Sequence, residues 1–392
     1  QVEDLRGLTQ VEPVIRTLLT ADQLRERLVQ DFLEENDEQE LEDDLRVLSA
    51  FGLIDRDFNL YDFYIDLLSE QIAGYYDDEN KEMVVIQGEE FDGPERLTYA
   101  HEFTHTLQDQ HYGLRDGLGI DDDHCQADSE YCAAVQALLE GDATLTEQYW
   151  LYSYGSTEDI QQLDDFYQTM ESPVYDSAPE FMKEDFAFSY LSGTDFVFAL
   201  FEKGDFAAID AAYAHPPRST EQIMHPEKYP GDQPLEVFMP EFGAVLGRDL
   251  REIDRGVVGE WYTYLTLAKG RQESFRLADA QARKAADGWG GDAYAVYIDD
   301  STGDIFLAVQ WVWDTRNDAS DFFSSLCDYG KFRWGGSADQ LFDNTLFWDD
   351  TSDGAVIVQW EGLLTSWVIA PDSEAANLLL QSLGEGEHAG VN

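Results

Sequence analysis

The chain has 392 residues, enough for more than one domain, and its 43% hydrophobic and 13% aromatic content is ample for packed cores. Its 81 acidic residues against 24 basic ones leave a formal net charge of −57, which excludes nucleic acid and anionic membrane surfaces as partners. No apolar run approaches the roughly 20 residues that span a bilayer, so no transmembrane segment is expected.

Residues 1–71 read as helical. Leu24, Leu28 and Phe32, then Leu41, Leu45 and Leu48, recur at helical spacing with charges between them. Thr20, three residues before Gln23, predicts a capping box. A hairpin is expected next, pairing Ile72–Tyr76 with Met83–Gln87 across the turn Asp77–Asn80. Gly93-Pro94 then opens a helix to about Gln110, with proline in its first turn. A polar loop follows over 111–126, then a helix from about Ala127 to Tyr152. Two further helices, Ala187–Phe201 and Asp205–Ala214, are separated at Gly204. Pro216-Pro217 breaks that pattern, and Ser219-Thr220-Glu221-Gln222 starts another short helix.

Beyond about residue 240 the character changes. Helices are predicted over Gly256–Ala268 and Ser274–Ala286. Strands follow at Ala293–Ile298, Ile305–Trp313, Ala355–Gln359 and Leu363–Ala370. Helices near Ala319–Cys327 and Ser373–Leu383 are interspersed. The expected fold class is therefore α+β. A mainly helical domain with a small β-hairpin or sheet spans 1–240, and a smaller α+β domain with an antiparallel sheet spans 241–392.

His101-Glu102-Phe103-Thr104-His105 is an H-E-x-x-H pattern on the helix whose buried stripe is Leu97, Ala100, Phe103 and Leu107. Residues four apart share a helix face, so both imidazoles can reach one ion, and Glu102 can serve as general base toward a water there. The bland alternative is a pair of histidines at the edge of a core. A catalytic zinc needs a third protein ligand. His111 stands six residues after His105, the metzincin spacing, but Gln108 occupies the position where a glycine must turn the chain. Glu140, set between apolar residues and Gly141 on the next helix, is favoured, because a carboxylate in apolar surroundings needs a cation or a donor. The competing reading of Glu140 is a surface residue at a helix kink. Asp142 is placed to steady a ligand.

Gln71–Asp77, Ala100–His111, Leu138–Thr144, Pro216–Tyr229 and Gly288–Asp292 together resemble a group of haloarchaeal surface proteins and their bacterial relatives. The likeness spans most of residues 1–300. Members of that group look like gluzincins, zinc peptidases whose ligands are two histidines and a distal glutamate. The resemblance implies Zn²⁺ held by His101, His105 and Glu140, with Glu102 as base. It also fits a zincin-like fold for 1–240, but it supplies no substrate; a peptide or protein substrate is expected from the peptidase reading of the site itself. In zincin folds an edge strand beside the metal helix holds extended peptide, which singles out Met83–Gln87; an ordinary hairpin strand is the alternative.

Outside that helix, His225 in a proline-fixed segment is a candidate to stabilise the oxyanion, or a rigid structural residue. Arg218 reads as structural, and Trp289-Gly290-Gly291-Asp292 as a turn anchoring the C-terminal unit. The three cysteines allow a Cys125–Cys132 disulfide or three thiols. Acidic residues spread along the whole chain suggest a surface adapted to high salt; an extracellular or cell-surface location in a halophile is what the resemblance implies, and a Cys125–Cys132 disulfide would fit it. The first residues, Gln-Val-Glu-Asp, lack the basic and apolar regions of a signal peptide, so either none existed or one has been removed. The expected activity is peptide-bond hydrolysis. The alternatives are a catalytically silent zinc-binding surface protein and a metal-dependent amidase acting on cell-surface polymers.

Overall fold

The computed structural model describes residues 1–35, 38–71, 73–86, 91–335, 338–342 and 344–384. Ile72, Gln87 and the side chain of Phe32, all part of the expectations above, lie outside the described residues.

The N-terminal part contains α1 (Val2–Arg6), β1 (Ile15–Leu19), α2 (Ala21–Glu35), α3 (Glu38–Phe51) and α4 (Leu60–Gln71). The Thr20–Gln23 box is formed: Gln23 N–H donates to Thr20 Oγ1 and Thr20 N–H to Gln23 Oε1. The expectation of an all-helical start fails at β1. Its alternation of exposed and half-buried positions carries no apolar stripe, and it is strand because it pairs in parallel with β3, from Ile15 opposite Glu82 to Leu19 opposite Ile86.

β2 (Gly74–Asp77) and β3 (Glu82–Ile86) form the expected hairpin, with Asp77 accepting from the N–H groups of Glu79 and Asn80 in the turn. The sheet order is β1-β3-β2. β3 is thus the central strand, bonded on both sides, and cannot serve as the substrate-holding edge; that expectation is corrected, and β2 is the terminal strand on the same side. Met83 and Val85 of β3 pack on Ala100, Phe103 and Leu107 of α5 (Gly93–Tyr112). Asp92 and Glu95 close a capping box at the start of α5.

Next come α6 (Asp122–Ala127), α7 (Ser129–Tyr154), α8 (Thr157–Thr169), α9 (Pro173–Ser177) and α10 (Glu180–Ala214). The polar loop expected over 111–126 is shortened by α6, which Asp121 caps. α10 breaks at Gly204 and Asp205, where the backbone leaves helical values, as the sequence predicts. Gly141 of α7 and Gly193 of α10 mark a helix crossing in backbone contact. A Cβ on Gly141 would strike the Gly193 carbonyl, and one on Gly193 the Ala137 carbonyl. The chain continues with α11 (Thr220–Met224), α12 (Phe242–Leu246), β4 (Arg251–Gly256), α13 (Gly259–Ala268) and α14 (Asp279–Ala286).

The large sheet adds β5 (Trp289–Asp299), β6 (Asp304–Trp313), β7 (Asp339–Phe342), β8 (Thr345–Thr351), β9 (Gly354–Glu361) and β10 (Leu364–Ala370), in the order β4-β5-β6-β10-β9-β8-β7. Every neighbouring pair is antiparallel. α15 (Arg316–Trp334) and α16 (Ser373–Leu383) cover opposite faces. Leu307, Val309 and Trp311 of β6 face α15 and the helical part, whereas Phe306 and Ala308 face α16. With both faces covered, the inner strands read as unbroken apolar runs rather than as alternation. One buried apolar cluster includes Leu138 of α7, Val197 of α10, Trp261 of α13 and Trp367 of β10, so the core continues across residue 240.

Candidate metal centre

The centre lies where α5 packs on α7. His101 and His105, one turn apart on α5, present their Nε2 atoms to each other at 3.1 Å. Glu140 of α7 enters from the facing helix, its Oε2 3.1 Å from His101 Nε2 and 3.5 Å from His105 Nε2. The three side chains are 11%, 12% and 14% exposed. Two imidazole nitrogens and one carboxylate oxygen, all within 4.8 Å of one another, make a three-protein-ligand set of the kind that holds catalytic zinc with a position left open. Glu140 is not at a kink: Gly141 beside it serves the α7–α10 crossing.

Electrostatics agree with that donor set. Burial acts to raise the Glu140 carboxyl, but His105 and His101 outweigh it and hold the group well below the usual carboxylate range. Burial acts to lower the His101 imidazole, yet its bonds to Glu140 and Glu147 carry it well above its ordinary value. Glu102, next to His101 on α5, is 7% exposed. Burial raises its carboxyl against the pull of His101 and His105. Gly74 of β2 lets the strand lie close here, since a Cβ there would come 3.4 Å from Glu102 Cγ and 2.9 Å from the Val84 carbonyl oxygen.

Both histidines are oriented from behind. His101 Nδ1 lies 3.2 Å from Glu147 Oε2, and His105 Nδ1 lies 2.8 Å from Gln108 Oε1. The Gln108 amide nitrogen donates to Leu139 O and Asp142 Oδ2. Asp142 in turn accepts from Arg6 Nε at 2.7 Å and Tyr213 OH at 2.9 Å, and both Arg6 and Asp142 are fully buried. Arg6, Asp142 and Gln108 therefore connect the N-terminal helix α1 to the His105 imidazole. Of these, the sequence pointed to Asp142 alone as a support for a ligand; Gln108 was marked there only as the occupant of the metzincin glycine position. Glu147 stands seven residues after Glu140, two turns along the same face, a spacing that was legible.

Tyr190 of α10 also reaches the centre, its ring 6.2 Å from that of His101. Burial and the charges of Glu140, Glu102 and Glu147 raise its phenol. Nothing in the local sequence distinguishes it among 20 tyrosines; the Gly193 crossing one turn later brings it there.

The family described as a domain of unknown function (DUF8575) matches residues 247–380, the large sheet with α13 to α15 and most of α16. No curated protein and no solved structure matches the chain.

The structure does not bring His225 to this centre. Its Nε2 pairs with Glu260 at 2.9 Å, at the end of α11. α11 is tied to the start of α7, where Glu130 accepts from the Thr220 backbone and hydroxyl. Glu140 lies ten residues further along α7, about 15 Å by helix rise. His111 also points away, its Nε2 2.8 Å from Thr9 O. The guanidinium of Arg218 stacks 4.6 Å over the Tyr131 ring. In the Trp289–Asp292 turn, the buried Asp292 accepts from the Val258 and Gly259 N–H groups and from Trp289 Nε1, locking β5 to α13. Cys125 and Cys132 form a disulfide, and Cys327 is a buried thiol. No helix among the described residues is long and apolar enough to cross a membrane.

Proposed function

We propose that the chain is a gluzincin-type zinc peptidase, akin to the haloarchaeal surface proteins it resembles. The observation that carries this reading is the convergence of His101 Nε2, His105 Nε2 and Glu140 Oε2 beside the buried Glu102. When bound by these three residues, zinc supplies a Lewis acid that polarises a carbonyl and acidifies water. Glu102 takes a proton from the attacking water and delivers it to the leaving amine nitrogen as the C–N bond breaks. Its raised carboxyl suits a group that must hold that proton between the two steps. Tyr190 offers an O–H donor to the carbonyl oxygen as charge develops on it. Glu147 and Gln108 keep the two imidazoles in the tautomers that turn Nε2 inward.

The disulfide and the net charge of −57 favour an extracellular or cell-surface setting of high salinity. The test is cleavage of a mixed peptide library in molar KCl, with and without a chelator. Cleavage should stop on chelation and return with zinc. Glu102→Gln should keep its zinc and lose about 10²–10⁴ of the rate. Zinc binding with hydrolysis of wall-polymer amides alone would assign an amidase. Zinc binding with no hydrolysis at all would leave a binding protein.

A further inference from the structure

We infer that His225, Glu260 and Asp287 form a second metal site, taking a divalent first-row transition ion such as Zn²⁺ or Mn²⁺. The three residues come from separate elements: His225 ends α11, Glu260 lies in the first turn of α13, and Asp287 follows α14. One ligand atom of each lies within 4.8 Å of the others. They line a cavity of about 330 Å³ that also includes Ser192 and Met224.

The decisive feature is Glu260. It is 1% exposed, and only its Oε1 is bonded, to His225 Nε2 at 2.9 Å. Oε2 is buried with no hydrogen-bond partner among the described residues. A buried carboxylate oxygen without a donor carries the full cost of its desolvation, which a bound cation removes.

The neighbouring cluster shows what a satisfied site looks like here. Glu221, Asp232 and Asp314 surround the ammonium of Lys228, at 2.5, 3.6 and 2.9 Å. Among the described residues, no lysine pairs with Glu260 that way. Arg283 and Lys284 line the cavity, but they are paired with Asp279 and Asp321. Asp287 and Glu227 both lie 3.9 Å from a His225 ring nitrogen and add negative charge. The imidazole decides the class of ion, because calcium and magnesium prefer oxygen-only sets whereas zinc and manganese accept mixed nitrogen and oxygen. Binding would tie α11, α13 and α14 together across the junction between the helical part and the large sheet.

The experiment is Zn²⁺ equilibrium dialysis of the full chain in molar KCl with excess Mg²⁺, read by elemental analysis and repeated with Mn²⁺. The wild-type chain should hold two equivalents of zinc. Glu260→Gln and His225→Ala should each hold one, as should a His101→Ala, Glu140→Ala double variant, and the combination should hold none. If Glu260→Gln fails to fold, Asp287→Asn at its exposed position decides, with an expected loss of affinity of at least about tenfold for one equivalent only. A wild-type chain whose single zinc survives His101→Ala but is lost in Glu260→Gln would support this site and overturn the first. Zinc content and affinity unchanged by Glu260→Gln, His225→Ala and Asp287→Asn would overturn the second site and leave the first standing.

Discussion

Gln108 and His105 are joined by a 2.8 Å bond between the amide oxygen and Nδ1, and the rest of the Gln108 amide fixes its sense. Its nitrogen donates to Leu139 O at 3.0 Å and to Asp142 Oδ2 at 3.1 Å, so Oε1 must be the acceptor. Nδ1 of His105 then carries a proton, which leaves Nε2 as the ring atom able to give a lone pair to a metal. Gln108→Leu should preserve the side-chain volume and lose this orientation. Zinc affinity should fall about 10–100-fold, measured by competition with a chelator of known strength. An unchanged affinity would detach Gln108 from the centre.

The α7–α10 crossing makes a separate prediction. Gly193→Ala drives a methyl into the Ala137 carbonyl, a clash with backbone that no rotamer can relieve. The expected cost is about 1–3 kcal/mol in thermal or denaturant unfolding. Because Gly141 faces Gly193 and adjoins Glu140, zinc affinity should fall in the same variant. Gly330→Ala in α15, which crowds the rings of Trp348 in β8 and of Trp334, is the control. It should lower stability and leave zinc affinity alone.

The arrangement of the first centre was legible because helical periodicity puts His101, His105 and the buried stripe of α5 on defined faces. Glu140 was legible from its apolar neighbours, which leave a carboxylate few partners. β1 was not, because its pairing with β3 spans a long stretch of chain and Ile15–Leu19 has no apolar face of its own. β7 and β8 were missed for a similar reason: they lie at the end of the large sheet, and β8 is only partly buried. His225 illustrates a different limit. Its residue type suits an oxyanion donor, but its position follows from the bonds of Thr220 to Glu130, a buried acid that local sequence does not mark.

Buried carboxyls set a pH dependence. Burial pushes Glu130 up to about 8 against the pull of its Thr220 bonds, and pushes Glu221 to about 8 against Lys228. Burial likewise takes Asp292 to about 6. Each folded value exceeds the ordinary one, so the folded state binds the proton more tightly than the unfolded chain. Their contribution to stability is complete below about pH 4 and is lost as pH rises through about 6 and then about 8. Carboxyls held below their ordinary value, such as Asp43 and Asp353, act only at more acid pH. At constant high salt, the melting temperature should therefore decline from about pH 5 to about pH 8.5. Glu130→Gln, neutral throughout, should flatten the upper part of that decline. A Glu130→Gln profile parallel to wild type would show that Glu130 does not titrate in this range.

Salt should act in the opposite sense on the fold as a whole. The 24 cations cannot match 81 acids, and several already serve two carboxylates each. Arg251 bridges Asp43 and Asp300, Arg255 bridges Glu241 and Glu252, and Arg6 bridges Asp142 and Asp210. The remaining acids repel one another across the surface. Their interaction is screened as the Debye length falls from about 10 Å at 0.1 M to about 3 Å at 1 M. Exposed ion pairs weaken under the same screening, but each contributes only about 0–1 kcal/mol, and only 24 basic residues are there to form them against 81 acidic ones. The melting temperature should thus rise with KCl from 0.1 M into the molar range. Zinc affinity at the buried His101 centre should change less over that range than global stability does, because buried charges are screened less. A melting temperature that stays flat or falls would mean that the acidic surface is not an adaptation to salt. A bound polycation or a basic partner would then have to account for it, and the proposed saline setting would lose its main support.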